Sequence, residues 1–204
     1  MLRVSKVRSG GAAYYLEVAA GSGTGIEAAG RWTGTGTPEL RLSGVVEAAD
    51  LEAVLAGEDP GTGRVLGTAR RQVTVAGFDM TFSAPKSVSL LHALGDGEVG
   101  DAVRAGHVRA VEAAVSYVER HALAVRRRQA MLPVPVPTTV TGVAAAGFVH
   151  RVSRALDPHL HTHVVVANLG RGPEGRWSAL DGRGLYAHAS ATDALYHAHL
   201  RYEL

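Results

Sequence analysis

A His-x-His pair at the head of a β-branched run constrains this chain more than any other stretch. His161 and His163 lead into Val164-Val165-Val166-Ala167. If that run is a strand, its period of two puts both imidazoles on one face. The segment from Val140 to His150 also reads as a strand, and Asp157-Pro158 supplies a turn, so a hairpin brings His150 beside the pair. Three neutral imidazoles suit a borderline divalent ion and leave coordination positions open to substrate, the pattern of a catalytic rather than a structural metal site. His159 shares the parity of the pair but falls in the expected turn and stays outside the ligand set. The plainer alternative is a group of ordinary surface histidines.

Composition bounds what such a site serves. With 204 residues, 46% of them hydrophobic, and a mean hydropathy of +0.05, the chain is long enough for one soluble domain with a buried core. It has no cysteine, which excludes a disulfide framework and a thiolate metal site and fits the cytoplasm. No apolar run approaches the length of a membrane span, and Met1-Leu2-Arg3-Val4-Ser5-Lys6 lacks the apolar segment of a signal peptide, so no membrane insertion is expected. The formal charge is only +2, yet Arg70-Arg71, Arg126-Arg127-Arg128 and Arg151 with Arg154 provide basic patches that can follow a phosphate backbone. Of the 21 basic residues only Lys6 and Lys86 are lysines, so GC-rich coding accounts for the arginines as readily as DNA contact does.

Taken in order, the chain alternates short elements and turns. Ala12 to Ala19 reads as a helix with Ser9 as its cap, and its adjacent Tyr14 and Tyr15 diverge by about 100° on such a helix. Residues 21–37 are rich in Gly, Ser and Thr and read as a flexible loop. Asp50 to Gly57 has the signals of a short helix with an Asp cap and a Gly stop. From Gly77 an alternating strand sets Phe78, Met80 and Phe82 on one face and Asp79, Thr81 and Ser83 on the other, so the sheet has an apolar side and a polar side. Ser83 and Pro85 then start a helix whose first turn carries Lys86 and Ser87, a seat for phosphate. Apolar spacing from Gly100 to Arg128 predicts a long amphipathic helix, and the dense prolines of Met131–Pro137 predict an edge or connector. Trp177–Leu180 reads as a short strand and Ala189–Leu204 as a helix.

Three anchors in this order resemble the conjugative relaxases of the MobF or TrwC type, within the HUH endonucleases. They are Tyr14-Tyr15, the segment GFDMTFSAPKSVSLL at 77–91, and HRVSRALDPHLHTHVVVAN at 150–168. The resemblance implies an α+β fold, an antiparallel palm with flanking helices, spanning residues 1–204 as the N-terminal portion of a relaxase catalytic domain that continues beyond them. It implies that His150, His161 and His163 hold a divalent metal ion (Mg, Mn or Zn), that Tyr14 is the nucleophile, and that Asp79 assists Tyr14 or orients a ligand histidine. The partners it implies are single-stranded DNA at a transfer origin, contacted by Lys86, Ser87, Arg151 and Arg154, and accessory transfer proteins. The family commonly carries a second tyrosine pair shortly after the first; Gly21–Gly30 holds none, so a single nucleophile site is expected.

The implied chemistry is consistent with the residues. A phosphodiester repels an incoming phenolate, and a cation on three imidazoles offsets that repulsion. Attack by tyrosine leaves a 5′-phosphotyrosyl link and a 3′-OH, which conserves the bond for later rejoining. Two other readings compete: a three-histidine hydrolase in which water attacks, and a module that binds single-stranded DNA without cutting it.

Overall fold

The computed structural model describes residues 1–8, 11–20, 29–67, 74–128 and 134–204. The strands are β1 (Leu2–Arg8), β2 (Arg31–Thr33), β3 (Val75–Ser83), β4 (Ala124–Arg127), β5 (Val136–Thr139), β6 (Gly142–Val152), β7 (Pro158–Arg171) and β8 (Trp177–Ser178). The α-helices are α1 (Ala13–Ala19), α2 (Ala48–Ala56), α3 (Lys86–Leu94), α4 (Gly97–His121), α5 (Arg183–Ala187) and α6 (Ala189–Glu203). A six-stranded antiparallel sheet in the order β1-β3-β7-β6-β2, with β8 added to β7, forms the centre. Strands β4 and β5 pair separately. The result is the α+β palm, an antiparallel sheet with flanking helices, that the sequence implied.

Alternation along β7 explains the layering. Leu160, Thr162, Val164 and Val166 are buried on one face, where the core joins Phe78, Met80 and Phe82 of β3 to Val111, Val115 and Val118 of α4 and to Tyr196 and Leu200 of α6. The other face carries the row His161, His163, Val165, Ala167 and Leu169, whose apolar end packs with Phe148, Tyr15 and Val18 and with Leu51, Val54 and Leu55 of α2. Helices α1 and α2 therefore cover the aliphatic end of this face and leave the imidazole end open. The expected split into an apolar and a polar side is corrected accordingly: both faces bury a core, and Asp79, on the expected polar side, is 5% exposed.

Other local expectations shift. The long helix ends at His121, and Arg126 and Arg127 lie on β4, where Val125 is fully buried between the half-buried Ala124 and the exposed Arg126. Its start is Gly97, capped by the Asp96 side chain accepting from Val99 N at 2.9 Å. Within the expected flexible loop, Arg31–Thr33 pairs with β6 as an edge strand. A Cβ on Gly30 or Gly36 would collide with the Phe148 ring or the Val143 backbone, so these glycines serve close packing rather than looseness. Ser83 ends β3, and α3 begins after Pro85 without a side-chain cap. Ser9, Arg70, Arg71, residues 21–28 and Met131–Pro133 lie outside the described residues.

Candidate active site

The β6–β7 hairpin sets His150 directly opposite His161. Residues directly opposed in an antiparallel pair share a face, and His163 follows at the strand period, so all three rings meet. Their centroids stand 5.1 Å (His150–His161), 5.2 Å (His150–His163) and 5.2 Å (His161–His163) apart, a nearly equilateral triangle. Three imidazoles bound at about 2.0–2.1 Å to one tetrahedral ion place their ring centres roughly 5 Å apart. Among the described residues no three donor side chains are already drawn in to ligand distance.

Two rings are oriented from outside the triangle. His163 Nδ1 lies 3.0 Å from both Asp79 oxygens, which makes it the donor, and His161 Nδ1 donates to the His159 carbonyl at 2.8 Å. Both Nε2 atoms then carry the lone pair, as metal-ligating histidines require. Burial, with smaller contributions from His163, His150 and His159, pushes the His161 imidazole down to about 4, so it is neutral at physiological pH. Thr81 Oγ1 completes the Asp79 cluster by donating at 3.1 Å. Of the two tasks the resemblance implies for Asp79, orienting a ligand histidine is the one these hydrogen bonds support.

The tyrosines come from a short helix far away in sequence. Tyr14 is 41% exposed, and its hydroxyl lies 3.3 Å from His150 Nδ1. Its ring centroid stands 6.1 Å from that of His150 and 6.3 Å from that of His163. Tyr15 points inward, 8% exposed, against Phe148. Burial, together with the nearby Asp79 carboxylate, pushes the Tyr15 phenol well above its ordinary range. The two side chains thus diverge as a helix demands: Tyr14 is open to solvent in the pocket, while Tyr15 is buried at the pocket wall, its ring centroid 5.9 Å from that of His163.

The pocket measures 580 Å³ and is lined also by Arg3, Ser5, Arg154 and His159. His159 belongs to β7 rather than to the turn, which is residues 153–157, and its Nε2 lies 3.3 Å from Ser83 Oγ. Arg3 and Ser5 went unread because β1 has no motif; only its alternation could have found them. Lys86 Nζ donates to the Pro158 carbonyl at 2.9 Å, beside the entrance to the hairpin, and Ser87 is exposed in the same turn. Arg151 sits exposed at the bulge between His150 and Val152, outside the pocket lining.

Residues 4–204 match the family described as TrwC relaxase. The multifunctional conjugation protein TraI of Escherichia coli K12 is 34% identical over 225 residues, covering 98% of this chain and 12% of TraI. A second Escherichia coli TraI is 38% identical over 156 residues, covering 74% of this chain and 8% of that protein. The conjugative relaxase TrwC in complex with oriT DNA, in a metal-bound structure, superposes with a TM-score of 0.84 at 32% identity, covering 100% of this chain and 69% of that one. TrwC complexed with a 27-mer DNA comprising the recognition hairpin and the cleavage site gives 0.82 at 32% identity, covering 100% and 68%.

Proposed function

The chain belongs to the TrwC relaxase family, and from that premise we propose that it nicks one strand of DNA at a transfer origin by transesterification onto Tyr14. The observation that carries this reading is the Tyr14 hydroxyl against the imidazole triangle, 3.3 Å from His150 Nδ1. In the reaction, the Tyr14 phenol releases its proton to solvent and Oη forms a bond to the scissile phosphorus while the bond to the 3′ oxygen breaks. The products are a 5′-phosphotyrosyl link and, once that oxygen takes a proton from solvent to balance the one Tyr14 released, a 3′-OH. An unperturbed phenol, pKa about 10, supplies little phenolate at neutral pH. His150, in the tautomer with its proton on Nδ1, donates to the Tyr14 oxygen and favours the phenolate.

A divalent ion (Mg, Mn or Zn) held by His150, His161 and His163 supplies, when bound, a Lewis acid for a non-bridging phosphate oxygen. Asp79 keeps His163 in the ligating tautomer. Arg154 at the pocket rim, Lys86 and Ser87 at the start of α3, and Arg151 contact neighbouring phosphates of the single strand. Residues 1–204 belong to a relaxase catalytic domain that works in the cytoplasm, with accessory transfer proteins as further partners. No described helix is long and apolar enough to cross a membrane.

The test is incubation with single-stranded origin DNA and Mn²⁺, followed by a denaturing gel. A covalent protein–DNA adduct supports the proposal. Cut DNA without adduct points to the hydrolase reading, and bound but intact DNA to a binding module.

A further inference from the structure

Behind the site, a polar chain crosses an otherwise apolar core. Thr162 lies between His161 and His163 on β7, so its side chain faces the opposite side of the sheet, where its neighbours Leu160 and Val164 are aliphatic. Its Oγ1 meets His107 Nε2 at 2.8 Å, and His107 Nδ1 meets the Tyr196 hydroxyl at 2.8 Å. His107 comes from the middle of α4 and Tyr196 from α6; neither is exposed to solvent, and Thr162 is 4% exposed. Each polar group in the chain is satisfied, since a neutral imidazole donates from one nitrogen and accepts at the other while each hydroxyl can take either role.

Stability alone does not call for this arrangement. Aliphatic side chains at all three positions would avoid burying polar groups altogether, and such replacements are commonly neutral or stabilising. What hydrogen bonds add over aliphatic packing is direction. The ladder to β3 and β6 sets which residues oppose one another, and Leu160 N donates to Ser89 Oγ of α3 at 3.0 Å, but the offset of β7 against α4 and α6 otherwise rests on packing, which tolerates small slides. A hydrogen bond at Thr162 removes that slack at the one residue flanked by two imidazoles of the triangle.

We infer that His107, Thr162 and Tyr196 form a positioning device, which fixes from the far side of the sheet the backbone segment that presents His161 and His163. This inference rests on the reading of the three imidazoles as a metal site and adds residues that do not touch the ion.

The experiment is calorimetric titration of the full chain with Mn²⁺, in parallel with thermal unfolding. The variants are Thr162→Val, which keeps the β-branched shape and deletes the hydroxyl, Thr162→Ser, which keeps the hydroxyl, and Tyr196→Phe. Val125→Ala, in the separate β4–β5 sheet, serves as a control for general loss of stability. Thr162→Val and Tyr196→Phe are expected to weaken Mn²⁺ binding by about tenfold, at the lower end of what loss of outer-shell partners does. Thr162→Ser should restore near wild-type affinity, and Val125→Ala should lower the melting temperature without a matching loss of affinity. If Thr162→Val binds Mn²⁺ like the wild type, or loses affinity only in proportion to melting temperature as the control does, the inference is overturned while the metal site stands. A wild-type chain that takes up no Mn²⁺ overturns the metal reading and this inference with it.

Discussion

Adjacent residues of the same type have opposite fates at the centre of this molecule. Tyr14 reaches the imidazoles from a position open to a DNA strand, whereas Tyr15 is buried against Phe148. Tyr14→Phe is therefore expected to abolish the DNA adduct and strand transfer, and Tyr15→Phe to retain both. Peptide mapping of the adduct by mass spectrometry decides, and an adduct on Tyr15 would refute the assignment. Asp79 invites a second test, because its carboxylate holds the His163 Nδ1 proton. Asp79→Asn keeps the shape but lets an amide compete for that position, and Mn²⁺ affinity should fall by about 10- to 100-fold by titration. Lys86 is tied to the Pro158 carbonyl yet exposed. If it also meets DNA, Lys86→Ala flattens the salt dependence of binding by about one phosphate contact, and an unchanged slope returns it to a purely structural hydrogen bond.

At the scale of elements, the β6–β7 hairpin does most of the positioning. It opposes His150 to His161 and, two residues further in, Phe148 to His163. Phe148 is fully buried, touches Tyr15 and fills the space that Gly30 leaves open, so it joins the edge strand, α1 and the hairpin. Phe148→Ala should cost about 3–5 kcal/mol in urea unfolding, the range for a buried aromatic with a cavity left behind. Part of that loss should surface as lower adduct yield at temperatures where the variant is still folded, because α1 carries Tyr14. A Phe148→Ala chain as stable as wild type would mean that the cavity collapses without disturbing this junction.

At the scale of the whole molecule, two helices and a sheet enclose His107. Burial, with small contributions from His161, His92 and the N-terminal amine, pushes its imidazole down to about 3, so the folded chain refuses a proton that the unfolded chain accepts near 6.5. The unfolded state binds more protons between those values, hence stability declines as pH falls from about 6.5 toward 3 and is unaffected by this group above that window. Urea midpoints measured at pH 7 and pH 5 should fall more for the wild type than for His107→Gln, which cannot charge; equal falls would exclude this contribution. Much of the site was legible in the sequence because it is local. Strand parity alone puts His161 and His163 on one face, a turn signal predicts the hairpin that adds His150, end signals mark α2, periodicity most of α4, and helical composition α6. Other features depend on contacts between residues that no local pattern links. Tyr14 meets His150 across 136 positions, and Thr162 meets His107 across 55. Asp79 shows the same division within one residue: alternation on β3 assigned its face, but its burial depends on α1 folding over that face. Local periodicity encodes direction along an element, because neighbouring side chains share one backbone geometry. Which elements close over one another is decided by packing across the whole core, and only the tertiary structure contains it.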